Sequence, residues 1–182
     1  MSSPESKSPI DDFSSCHVGI LAQLDDLQRL PALLDAASQA RQGAAAALRF
    51  FRDVVHEHHA QEESELFPAV LKSASVGEER DKVAAIVKRL TGEHRQIEAA
   101  WSKLEPGLKS AAKGQDSALD AVAVHALVQS YQAHARYEEQ EFLPLSQQIL
   151  GRNASHLAAL GMSLHMRHIS PEVMKRFGSA IG

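Results

Sequence analysis

Two stretches of the chain repeat a spacing of histidine and glutamate that suits metal binding. The segment HHAQEESELFP, from His58 to Pro68, returns as HARYEEQEFLP, from His134 to Pro144. His58, Glu62, Glu63, Glu65 and Pro68 therefore match His134, Glu138, Glu139, Glu141 and Pro144. Upstream of each copy lies a second matched pair, His17 with Ile20 and His94 with Ile97, displaced by the same register to within one residue. On a helix, residues four apart differ by about 40° and one turn of rise, so His58 and Glu62 point to one side, as do His134 and Glu138. If those sides face inward, with His17 and His94 entering from two further helices, imidazole nitrogens and carboxylate oxygens converge. Such a set suits two ions, with carboxylates bridging them. One His-x-x-x-Glu pair alone is more often a surface ion pair. The whole pattern repeated in distant segments is not explained by a solvated face, and a buried glutamate without a partner is costly. A frozen duplication that preserves the pattern without metal is the competing account.

The register has to be chosen among clustered histidines. His59 and Glu63 also stand four apart, but the distance to the following proline favours His58, and the residue matching His59 in the second copy is Ala135. His56 lies about 200° around the helix from His58, and His125 about 180° from His134, so both should face away. Tyr131, three residues before His134, falls on the same face. It could serve as a hydrogen-bond donor, a terminal ligand or an electron relay, or simply fill the core with its hydroxyl satisfied. Glu63, Glu65 and Glu139 read as exposed groups or as groups that orient imidazoles. His165 and His168 share a face in the C-terminal segment, with His156 further off. They have no carboxylate partner or repeat, and read as surface residues. Met162, Met166 and Met174 lie among leucines and read as packing residues, and Cys16 as a small buried group.

The elements that must position these residues are helices. Apolar residues recur at helical spacing almost throughout, without sustained alternation, which predicts an all-α chain. The first helix is expected to begin near Asp11 or Asp12 and to be kinked or interrupted at Pro31, since proline removes a backbone donor. The second is expected over about 43–71, the third over about 78–104 with Pro106 and Gly107 ending it, and the fourth over about 117–149. Gly77 marks the turn between the middle two. Such lengths predict an up-down-up-down four-helix bundle over 12–150, after a disordered Ser- and Pro-rich tail over 1–11. Residues 151–182 should add a helical C-terminal extension packed across one end or side.

Composition narrows the function. The 182 residues suffice for one domain with a real core, and 44% hydrophobic with 23% charged residues is the balance of a globular protein. A net charge of −4, with no basic stripe, argues against nucleic-acid binding. No segment approaches the roughly 18 apolar residues of a membrane span, and the N-terminus holds no secretory pattern, so a cytoplasmic location is expected. Cys16 is the only cysteine, which excludes an intrachain disulfide and fits a reducing compartment. No nucleophile elbow, phosphate-binding glycine loop or nucleotide fingerprint occurs.

The order His17, then His58 with Glu62, then His94, then His134 with Glu138 resembles the hemerythrin-like family of HHE cation-binding domains over about 12–150. The resemblance implies a hemerythrin-like four-helix bundle holding two iron ions in an oxo- or hydroxo-bridged di-iron centre, with zinc or manganese as alternatives. His17, His58, Glu62, His94, His134 and Glu138 would then be the ligands. The oxygen-carrying members place a second histidine one turn after the third-helix histidine. Here that position is Glu98, which would supply an oxygen, leave a site for water, or stand behind a ligand and orient it. A third carboxylate would favour ferric iron, which ranks O2 storage below sensing or detoxification of O2, peroxide or nitric oxide, or iron handling. The alternatives are a di-iron oxidase or ferroxidase, weakened by the lack of any Glu-x-x-His triplet, and a helical interaction module with zinc or no metal. A small diatomic or peroxide ligand is the expected partner, and the apolar tail could serve a homodimer.

Overall fold

The computed structural model describes residues 9–152, with side chains from 16 onward. The expected C-terminal helical extension, with His156, His165, His168 and the three methionines, lies outside the described residues, as does most of the expected N-terminal tail. Within them the chain is all helical, and none of their helices is long and apolar enough to cross a membrane. It forms three long rods where four were expected. The first joins α1 (Pro9–Phe50), the π turn π1 (Phe51–Val55), α2 (His56–Gln61), π2 (Glu62–Leu66) and α3 (Phe67–Ser73). Phe50, Val55, Gln61 and Leu66, at the joints, all keep right-handed helical dihedrals, so this rod is never broken. The second rod is α4 (Glu78–Ala112), and the third joins α5 (Ala121–Tyr137), π3 (Glu138–Phe142) and α6 (Leu143–Leu150).

The expected break at Pro31 does not occur: Pro31 lies inside α1, and Gly43, expected to open a second helix, lies inside it too. One proline deletes one ladder hydrogen bond, at about 3 kcal/mol. Here the surroundings are exposed, so water can take the freed carbonyl, while flanking Leu, Ala, Gln and Arg favour the helix on both sides. The helix is also established by Pro9, ahead of the acids expected to cap it. Pro106 and Gly107 likewise fail to end α4, which runs on to Ala112. Gly107 instead admits the following loop: a Cβ there would stand 2.9 Å from Leu119 Cδ2, and Ser117 Oγ donates to its carbonyl at 2.6 Å. The turns fall at Gly77 and Gly114, both at positive φ, and the Asp120 carboxylate caps α5 by accepting from Val122 N at 2.9 Å.

The rods run antiparallel. The Phe51 and Trp101 rings stack 3.7 Å apart near one end, and Arg152 reaches Ser75 and Glu79 at the other. Two apolar clusters fill the interior. One holds Phe67, Val70, Val83, Ile86, Leu90, Phe142 and Ile149, and the other holds Ile97, Trp101, Leu104 and Leu127. Between them lies a buried polar layer of His59, Glu62, His94, His134 and Glu138. The N-terminal half of α1 takes no part in this core. Every side chain from Cys16 to Ala37 is exposed, Val18 by 69% and Leu33 by 62%, and burial begins only near Ala44. Cys16, expected to be buried, is among the exposed residues.

Candidate metal centre

Three imidazoles from the three rods meet in the polar layer. His59 stacks on His94 with ring centroids 3.9 Å apart, and His134 stands edge-on to both, at 5.7 Å and 4.8 Å. Each is held from behind by a carboxylate at Nδ1: His94 by Glu63 at 2.8 Å, His134 by Glu93 at 3.1 Å and His59 by Glu98 at 3.4 Å. These outer carboxylates are themselves anchored. Arg95 donates to both Glu63 and Glu98, and Arg89 to Glu93 at 2.8 Å while lying over the Tyr137 ring. Burial works against ionisation of Glu93 and Glu98, yet the hydrogen bonds from Arg89 and His134, and from Arg95 and His59, hold both below the usual carboxylate range. An ionised carboxylate accepts Nδ1–H, which places the lone pair of each ring on Nε2.

All three Nε2 atoms are buried and lack a hydrogen-bond partner. His94 Nε2 comes within 3.2 Å of Glu62 Oε2 but without hydrogen-bond alignment, and both Glu62 oxygens are likewise unsatisfied. The donor atoms of His59, His94 and His134 lie within 4.8 Å of one another, as do those of a second group, His58, Glu62 and Glu138. His58 Nε2 is 3.1 Å from Glu62 Oε1.

The two glutamates occupy equivalent local structures, because each opens a π turn: Glu62–Leu66 and Glu138–Phe142. A π turn inserts an extra residue into a helix and recurs at functional sites. The matched prolines give a physical reason. A proline ring clashes with the carbonyl four residues earlier, and for Pro68 and Pro144 those carbonyls belong to Ser64 and Gln140, inside the two widened turns.

Burial dominates the electrostatics of the layer. It pushes His59 down to about 3, with His94 adding repulsion, and lowers His134 as well. It pushes Glu62 up to about 7 and Glu138, lying against Glu62, up to about 8. Burial thus favours the uncharged forms of His59, His134, Glu62 and Glu138, which leaves buried donor atoms without a compensating charge. A divalent cation would use the lone pairs and displace the protons. The residues fit a metal site.

The structure brings His58, Glu62, His94, His134 and Glu138 together, while His17 lies on the exposed part of α1, outside both groups. His59, set aside in the sequence reading, is 1% exposed and belongs to the three-imidazole group. Adjacent helical residues diverge by about 100°, and an inward helix face is about that wide, so His59 and His58 flank the interior from one helix. The repeat gave no signal for His59, because Ala135 stands at the matching position of the second copy. Glu98 contacts His59 at Nδ1 and so is placed to orient that ring. Glu63 orients His94, as one of the readings allowed, and Glu93 was not anticipated. Its only signals are its place beside His94 and four residues after Arg89. Tyr131 is half-buried with its ring 6.0 Å from that of His134 and 6.1 Å from that of His59, and burial pushes its hydroxyl up to about 12, so it stays protonated.

No curated protein and no solved structure matches the chain. A family model does, over residues 8–146, and its description is hemerythrin HHE cation binding domain. That span is most of the chain and includes every residue of the polar layer, so the protein belongs to the hemerythrin HHE cation-binding domain family.

Proposed function

We propose that the buried layer holds two iron ions and that the protein binds or reports on a small diatomic or peroxide ligand, O2 and nitric oxide included. The observation that carries this is the convergence of three partnerless imidazole Nε2 atoms beside two buried glutamates, in a layer closed above and below by apolar side chains. One ion is assigned to His59, His94 and His134, the other to His58, Glu62 and Glu138. Imidazole with carboxylate suits iron, manganese and zinc alike, and the family description supports a cation without choosing among them. Bound iron supplies electron exchange and an open position for the small ligand.

The chain's own groups do the rest. Glu63, Glu93 and Glu98 fix the tautomer and aim of three rings, Glu62 and Glu138 release protons as the cation arrives, and the apolar clusters keep bulk water away. Four imidazoles and two carboxylates form a donor set with less negative charge than one in which Glu98 is a ligand, which removes the argument against reversible ligand binding. Access is from the side of His58, whose side chain is 34% exposed. Elemental analysis of protein loaded with iron(II), joined to visible spectra before and after air or nitric oxide, tests the reading. Two ions per chain and a ligand-dependent absorption band are expected. A folded protein whose melting temperature ignores iron, and which retains none after desalting, overturns it.

A further inference from the structure

The arm formed by residues 9–43 of α1 has the anatomy of a core helix and no core. His17, Ile20, Leu24, Leu27, Pro31 and Leu34 recur every three or four residues along one side, and Leu24 is 53% and Leu34 57% exposed. At about 1.5 Å per residue the arm is about 50 Å long, the length of α4. The body has a matching vacancy. Val124 and Val128, 37% and 47% exposed, continue at helical spacing into Tyr131, Ala135 and Glu138, an apolar ridge that leads to the metal-type group. In the His58, Glu62 and Glu138 group both glutamates are buried and His58, 34% exposed, is the member nearest the surface.

The arm cannot turn back onto its own body without breaking the helix that runs uninterrupted through Gly43 into Ala44. A second copy removes that conflict. We propose that the chain forms a twofold arm-exchanged dimer, in which residues 9–33 of each copy lie along the open side of the other and bring His17 to its His58, Glu62 and Glu138 group. The contact is reciprocal, so two arms close two vacancies and the assembly does not propagate. With the two long rods antiparallel, His17 of one comes level with Ala60 of the other when the axis passes between Ser38 and Gln39, midway between those positions. There Ala36, Ala37, Ser38 and Ala40 offer little bulk to keep the rods apart. Each half of the dimer is then a four-helix bundle, and the second ion gains an imidazole as fourth protein donor.

The role of His17 rests on the metal reading above, while the exchange itself does not. Light scattering on the full chain, with and without iron(II), reads the assembly: twice the chain mass in both conditions is expected, and a monomer overturns the proposal. His17→Ala and His58→Ala chains, each first shown by circular dichroism to be helical, are then loaded with iron(II) separately and after joint unfolding and refolding. In an exchanged dimer the mixed pair assembles one intact site, from the arm of one variant and the body of the other. The mixture should recover about a quarter of the second-ion content that each variant lacks, the statistical yield of such pairs. No recovery, with wild-type chains holding two ions, overturns the exchange and leaves the metal reading standing. Wild-type dimers that hold no iron overturn the metal reading and the role of His17 together, leaving only the dimer.

Discussion

His94 and Glu63 stand 2.8 Å apart, Nδ1 to Oε1, on different rods, and Arg95 donates to the same carboxylate. The ring is fully buried and its other nitrogen faces the centre of the layer without a partner. Glu63 is therefore placed to accept Nδ1–H and leave the lone pair on Nε2, and a carboxylate makes that bond stronger than a neutral acceptor would.

Glu63→Gln keeps the size and weakens that charge-assisted bond. Metal affinity should fall about 10- to 100-fold, the usual cost of losing an orienting carboxylate. Competition with a chelator measures it. An unchanged affinity would show that the ring is held by packing alone.

His59→Leu removes one donor together with one buried nitrogen that lacks a hydrogen bond. The three-imidazole group should lose its ion, while metal-free protein should melt at the same temperature or higher, because an unsatisfied buried polar atom costs about 1–3 kcal/mol. Melting curves with and without iron(II) separate the two effects. A large loss of metal-free stability would mean that His59 serves the fold.

Acidity should act in opposite directions on the metal-free and the loaded protein. Glu62 and Glu138 titrate near 7 and 8 when folded, above the ordinary 4.5, so their contribution is full below about 4.5 and is lost as pH rises through 7 and 8. His59, depressed to about 3 from 6.5, contributes fully above 6.5 and loses that contribution as pH falls toward 3. Of these three groups only the carboxyls change between pH 6.5 and 8.5, so chelator-treated protein should become less stable as pH rises. Over the same interval iron affinity should climb, since binding no longer has to displace their protons. Melting temperatures and proton release on titration with metal report both trends, and parallel trends would contradict the assignment.

Phe142→Ala opens a cavity against the polar layer. Phe142 has no exposed surface and meets Phe67 edge-on, with ring centroids 5.0 Å apart. A loss of about 3–5 kcal/mol in stability is expected from such a truncation. Denaturant melts of metal-free protein measure it, and a loss under 1 kcal/mol would show that the layer collapses to fill the space.

The helical class, the repeat and the gathering of Glu62, His94, His134 and Glu138 into one layer were legible in the sequence, because helical periodicity and an internal duplication are local in the chain. The positions of Pro68 and Pro144 also held the signal for the two π turns. The partnership of His59 with His94 and His134 was not legible, since it depends on how far each rod is rotated about its axis, which the facing helices set. Neither was the orienting role of Glu93, which arises from a contact between rods. At Pro31, Gly43 and Pro106 local rules favoured a break, and the helix continues because one missing hydrogen bond weighs less than the long helical stretches on either side. Residue types and spacing alone determined that this chain can gather a metal-binding donor set. Only the tertiary structure decided that His59 packs with His94 and His134 and that an exposed arm carries His17, because contacts between rods and the path of an unbroken helix are properties of the packed whole.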